Sequence, residues 1–391
     1  MPSQVLHILF GDDVITEIYR RIRPRFGIVA DKALEKIQIS YRTAFSLGCQ
    51  GPDLFYHSQN RRPVALEYGT LLHRRGYGMF TAVLLKMALP DPPPDADDIR
   101  MQRRENAITA LGVYALGFMT HAILDRLAHP YIIYKSGWVS PAKPETVRYA
   151  KAHAFFERII DVLMLRYLRG QEIASWNQDE LLVSACENPP PGLKALLAKA
   201  LVTAFPERAG NDSKLARRID NAFLDAAGFY RFTDPRKTSL RSSNIEEITS
   251  FWMEDPGLVA YVYPEYVPLD IDYLNLSRKP WCYPIEGGAA DRRSFPDIYR
   301  DTLERAVAKL SVFISRYLET GVFPIKEAAS GIGNSGLSIQ DSEGKPCAPS
   351  MSDPLPLDEV LAGQQALRRA AAEQFELRQI AQGRLGGSVG V

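Results

Sequence analysis

Cysteine is sparse in this chain. Its four residues, Cys49, Cys186, Cys282 and Cys347, lie far apart and form no CxxC pair. That argues against a disulfide framework and against a thiolate zinc site. Charge bias is missing too. The 47 Lys and Arg nearly balance the 46 Asp and Glu, leaving a net charge of +1. No basic footprint for nucleic acid is visible, and nothing hints at an acidic partner. There is no apolar run long enough to span a bilayer. The opening MPSQVLHILFGDDVI has no basic region and meets acidic residues within a dozen positions. It does not read as a signal peptide, so a cytoplasmic location is expected. Internal repeats and alternating strand patterns are also absent.

What remains is helical periodicity. Amphipathic or apolar helices are expected over 31–47, 64–89, 103–128, 145–169, 296–320 and 357–380, with two or three shorter ones up to about 232. The first should stop at the glycines of GCQGPD, and the proline cluster PDPPPDAD should be a loop. The 103–128 helix is apolar on most faces and should be central, with Gly112 and Gly117 admitting a close neighbour. Residues 233–295 should be irregular. The expected fold class is all-α. One metal-bearing helical domain should cover 1–325, followed by a flexible linker and C-terminal helix over 326–391.

Histidine is also scarce, and its placement is uneven. All six, His7, His57, His73, His121, His129 and His153, fall in the first 153 of 391 residues. The apolar stretch GFMTHAILDRLAHPYI, residues 117–132, carries three ionisable groups four residues apart. Residues four apart share a helix face, so His121 and Asp125 can grip one cation from one side. His129 lies about 12 Å further along the axis, too far to share an ion with His121. Pro130 should end the helix at His129 and turn that imidazole aside. His153 and Glu157 repeat the spacing on the next helix, and a second cation between them and His129 follows. An ionised Asp in an apolar helix is costly unless paired or metal-bound. Nitrogen and carboxylate donors without thiolate suit zinc, with iron or manganese as alternatives. Two related designs fit worse. The chain has no adjacent His-Asp pair of the HD-type phosphohydrolases, and none of the two ExxH pairs of ferritin-like di-iron bundles.

These motifs resemble the zinc-dependent phospholipase C family, in its bacterial non-secreted type, whose fold is shared with the S1/P1-type nucleases. The resemblance rests on His7 in LHILFG, Asp53 in LGCQGPDLFY, His73 in TLLHRRG, THAILDRLAHPYI and AHAFFERIID. PLDIDYLNLSRKPWCYP at 268–284 extends it more thinly. The resemblance implies one zinc on Asp53, His73, His121 and Asp125, and a second on His129, His153 and Glu157. A third would take His7 and a bridging Asp125, although the N-terminal Trp that completes it in secreted members has no counterpart here. It also implies hydrolysis of a phosphoester, with Asp53 as the catalytic residue that orients or deprotonates water. The expected partner is a phospholipid or other phosphoester substrate, with transient membrane-surface contact and no stable nucleic-acid partner. An S1-like nuclease and a non-catalytic, metal-stabilised interaction protein are the alternatives.

Around these motifs, Phe55 and Tyr56 suit packing, a quaternary ammonium or, in a nuclease-like site, a stacked adenine. His57 and Asp161 suit a supporting or structural role. Arg278 and Trp281 suit a structural loop or a substrate contact.

Overall fold

The computed structural model describes residues 3–88, 108–140, 142–240, 256–284, 288–320, 323–333 and 352–381. The expected proline-rich loop at 90–97 and most of the expected linker lie outside them. The all-α reading holds among the described residues. Strand is confined to a two-residue antiparallel pair, Trp281–Cys282 with Ala290–Asp291, inside the segment expected to be irregular.

The organising element is a 27-residue helix, Ala110–Ser136, buried on nearly every face. Thr109 caps its start by accepting from the Gly112 amide. Around it pack helices Val5–Phe26, Arg42–Cys49, Tyr77–Ala88, Ala152–Arg169 and Phe295–Thr320. Closest is the Arg42–Cys49 helix. A Cβ added at Gly48 would sit 2.2 Å from the Tyr114 carbonyl oxygen, and one at Gly117 would sit 2.5 Å from that of Phe45. Two glycines thus let the backbones touch, and this fixes the turn after Cys49 against the central helix.

Four boundaries differ from expectation. The expected 31–47 helix is divided: Ile28–Glu35 passes into a π turn over Lys36–Ser40, breaks at Tyr41, and resumes as Arg42–Cys49. The central helix does not end at His129 but runs through Pro130 to Ser136, closing at Gly137. Proline inside a helix costs about 3 kcal/mol. Here that cost is met by burial of Tyr131, Ile132 and Ile133, each at most 4% exposed. His129 therefore stays on the face of Asp125. The expected 64–89 helix divides at Gly76 (φ +75°) into Leu66–Arg74 and Tyr77–Ala88. The expected 145–169 helix begins as a 3-10 turn over Pro144–Tyr149 and restarts at Ala152 after left-handed Lys151.

The C-terminal part also departs from a detached tail. Ile325–Ile332 is a helix packed on Tyr77–Ala88, and Leu357–Ala381 lies against Ala152–Arg169. Leu357, Val360 and Leu361 join the same apolar core as the first helix. Arg368 is buried, donating to the carbonyls of Thr238 and Tyr263 and to Glu265. A helix anchored by apolar side chains and a buried guanidinium is part of the body.

Candidate metal centre

The site is assembled from five places in the chain. Val5–Phe26 brings His7 in its first turn. The turn after Cys49 brings Asp53. Leu66–Arg74 brings His73 in its last turn. The central helix brings His121, Asp125 and His129, and Ala152–Arg169 brings His153 and Glu157.

The tight turn at 48–53 depends on Gly51, held at φ +56° with its amide donating to the Gly48 carbonyl. A Cβ there would lie 2.4 Å from the His121 ring. Gly51→Ala is therefore expected to push His121 aside, costing about 1–3 kcal/mol. Thermal unfolding checks this, and a variant with wild-type Tm would contradict it.

Backbone carbonyls orient two of the imidazoles. His73 Nδ1 lies 2.8 Å from the Gly69 carbonyl and His121 Nδ1 3.1 Å from that of Cys49, which leaves each Nε2 for another task. The His7 and His121 rings stack 4.0 Å apart at 17°. His73 Nε2 stands 3.2 Å from Asp53 Oδ1. Further along, His129 Nδ1 lies 2.8 Å from Asp125 Oδ1, and its Nε2 is 3.1 Å from His153 Nε2, which is 3.0 Å from Glu157 Oε1.

The result is three neighbouring triads whose ligand atoms lie within 4.8 Å of one another: Asp53, His73, His121; His7, His121, Asp125; and His129, His153, Glu157. All eight residues singled out by the sequence are present. The grouping differs in one respect from that implied by the resemblance. Asp125 falls with His7 and His121 and not in the tight group around Asp53. His121 thus joins the first two triads, and the Asp125–His129 contact joins the second to the third.

Do these residues suit cations? His7 Nδ1, His121 Nε2, Asp125 Oδ2 and Glu157 Oε2 are all buried with no hydrogen-bond partner. Buried polar atoms are rarely left so. The separations of 3.0 and 3.1 Å in the third triad resemble the roughly 3.3 Å between tetrahedral ligands at zinc bond lengths of about 2.0–2.1 Å. A cavity of about 20 Å³ opens between Ser3, His7, Asp125, His129 and Glu157. That is room for one water-sized sphere. The arrangement fits several divalent ions held by nitrogen and carboxylate.

Electrostatics agree. Burial, helped by His121, pushes the His7 imidazole down to about 3, and burial pushes His121 down to about 4. Both rings are neutral at pH 7, the form that binds metal. Burial would lower His129 and raise Asp125, but their mutual contact prevails: the imidazole is raised and the carboxyl is held below its usual range.

A pH dependence follows for the metal-free protein. Unfolded histidine titrates near 6.5. Stability from a neutral buried His7 is complete above that value and lost as pH falls towards 3. His129, with a raised value, keeps its proton in the folded state over this range, so its stabilising effect grows as pH falls through 6.5; it is the same in wild type and variant and cancels in their comparison. Replacing His7 by glutamine should therefore remove about 2 kcal/mol of the stability change between pH 7 and pH 5. Urea unfolding at both pH values measures it, and an unchanged difference would contradict neutral burial of His7.

Nearby residues take structural roles. Phe55 is fully buried and packs, whereas Tyr56 is half-buried with its ring 4.7 Å from that of His73. His57 stacks on Phe229 at 4.0 Å. Trp281 is buried against Tyr131, its Nε1 donating to the Arg293 carbonyl, and Arg278 pairs with Asp297. Among the cysteines, the useful group is the backbone carbonyl of Cys49, which no side-chain motif could reveal.

Comparison with known proteins gives no relative: no family model, no curated protein and no solved structure matches this chain.

Proposed function

We propose that the protein is a metal-dependent hydrolase of phosphoester bonds, of phospholipase C type, with zinc as its ion. The observation carrying this reading is the set of three donor triads, connected by His121 and by the Asp125–His129 contact. One or two triads would serve a structural ion. A cluster of them would offer what in-line phosphoryl displacement needs, charge at both the attacking and the leaving oxygen.

Asp53, His73 and His121 would hold one ion and His129, His153 and Glu157 another; His7 and Asp125 would hold a third without His121, whose Nδ1 is on the Cys49 carbonyl and whose Nε2 serves one ion. Bound ions would supply Lewis acidity at phosphate oxygens and a water of lowered pKa. Asp53 belongs to the triad with His73 and His121. Burial alone would raise its carboxyl, yet the hydrogen bond from His73 helps hold it well below the usual range. So weak a base suits orienting a water at its carboxylate better than taking its proton. His153, with 22% of its side chain exposed, is the most open of the ligands in these pairs and marks the solvent side of its triad. Among the described residues no helix is long and apolar enough to cross a membrane. Contact with a lipid surface would be peripheral, and Leu269, 92% exposed within the 268–284 segment, is suited to it.

One observation favours a second reading, in which ions hold the fold and nothing is hydrolysed. Seven of the eight donors are at most 5% exposed. The experiment is turnover of a chromogenic phosphodiester, phosphatidylcholine vesicles and single-stranded DNA by zinc-loaded protein and Asp53→Asn. Release of a phosphorylated head group, lost in the variant, supports the proposal. DNA cleavage alone would move the assignment to a nuclease. Metal-replete protein inert on all three would leave the structural reading.

A further inference from the structure

We infer that Asp161 is a positioning residue for the cation centre, fixing the start of the first helix so that His7 reaches His121 and Asp125. The inference rests on the metal reading above and adds a residue outside the three triads.

The first amides of a helix lack partners within it and are usually met by a local cap. Here Gln4, at the cap position, makes no side-chain cap. The amides of Gln4, Val5 and Leu6 donate instead to the Asp161 carboxylate, at 3.0, 3.2 and 2.8 Å. Ser3 Oγ donates to it at 2.7 Å and Tyr263 Oη at 3.2 Å. Five donors meet one carboxylate that has no exposure to solvent, and its nearest cation is Arg158 at 3.8 Å. A local Ser or Asn cap would satisfy the helix without burying a charge, so the long-range anchor does something a cap does not.

What it does follows from its position. Asp161 is one turn beyond Glu157 and two beyond His153, on the same face of Ala152–Arg169. His7 is the residue after Leu6. One helix therefore supplies two ligands of one triad and ties down the backbone beside a ligand of another. Ser3, held by the same carboxylate, lines the small cavity between those triads with His7 and Glu157.

Asp161→Asn is the incisive change, because the amide nitrogen must face donors whichever way it turns. Oδ1 receives Ser3 and Leu6, and Oδ2 receives Gln4, Val5 and Tyr263. The experiment is zinc titration with elemental analysis, together with hydrogen exchange at residues 4–7, on the full chain. Folded Asp161→Asn should exchange the amides of residues 4–6 faster and bind one ion roughly ten- to hundredfold more weakly, the others unchanged. His7→Ala should lose that same ion, and the double variant no further one. Wild-type affinity at every ion in Asp161→Asn overturns the inference. If Asp161→Asn fails to fold, Ser3→Ala and Tyr263→Phe each remove one donor and should weaken the same ion selectively; unchanged titrations there overturn it as well. Wild-type protein that binds no zinc overturns the metal reading itself, and faster exchange at residues 4–6 in the variant would then mark Asp161 as an anchor of the helix alone.

Discussion

For the hydrolase proposed above, replacing His121 by alanine is expected to lower turnover of a phosphodiester by about a thousandfold or more. His121 is the residue two triads share. Its Nδ1 is committed to the Cys49 carbonyl, and its Nε2 is buried without a protein partner. No neighbour can substitute. His7 stacks on its ring and would lose that support. Zinc content should fall to about one ion per chain, the one held by His129, His153 and Glu157, whose contacts do not involve His121. Steady-state kinetics and metal analysis on the same sample check both halves. Activity within tenfold of wild type would show that His121 is a core histidine.

The second large effect concerns stability. Stripping the protein with a chelator at pH 7 should lower its Tm by on the order of 10–20 °C, and zinc should restore it better than magnesium. A bound structural zinc is worth roughly 10–16 kcal/mol in favourable cases. Without ions, Asp125 Oδ2 and Glu157 Oε2 remain buried with no partner, in helices that form the centre of the core. The consequence reaches beyond the site, because at least six other described helices pack on Ala110–Ser136. Identical melting of stripped and zinc-loaded protein would contradict the account, since the donors would then be stable as they stand.

Much of this site was legible in the sequence, for a physical reason. Helical spacing of four is a strong geometric constraint, so His121 with Asp125 and His153 with Glu157 could be placed on shared faces without coordinates. Their apolar surroundings made an unpaired charge costly, which pointed to a shared cation. His7, Asp53 and His73 are different. No local periodicity links residues 7, 53, 73 and 121. Only the likeness to a family's motifs put them together, and the structure then brought them within reach.

The failures are equally instructive. Pro130 was expected to stop the central helix because local rules penalise an interior proline, and tertiary burial of Tyr131–Ile133 outweighed that rule. The first helix, Val5–Phe26, is not among the expected helices. Its cap comes from Asp161, more than 150 residues away, and no local signal could announce it. The grouping of Asp125 was likewise settled by the approach of the His7 ring to His121 and not by spacing along one helix. The C-terminal helix showed its boundaries, but its docking depends on Arg368 meeting the carbonyls of Thr238 and Tyr263, a long-range contact.

The central claim is that imidazoles and carboxylates from five places in the chain share cations. Elemental analysis of the purified protein, loaded with zinc and freed of unbound metal by gel filtration, tests it most directly. The account predicts about two to three zinc ions per chain, retained at neutral pH. A protein that leaves the column with no bound ion would contradict it.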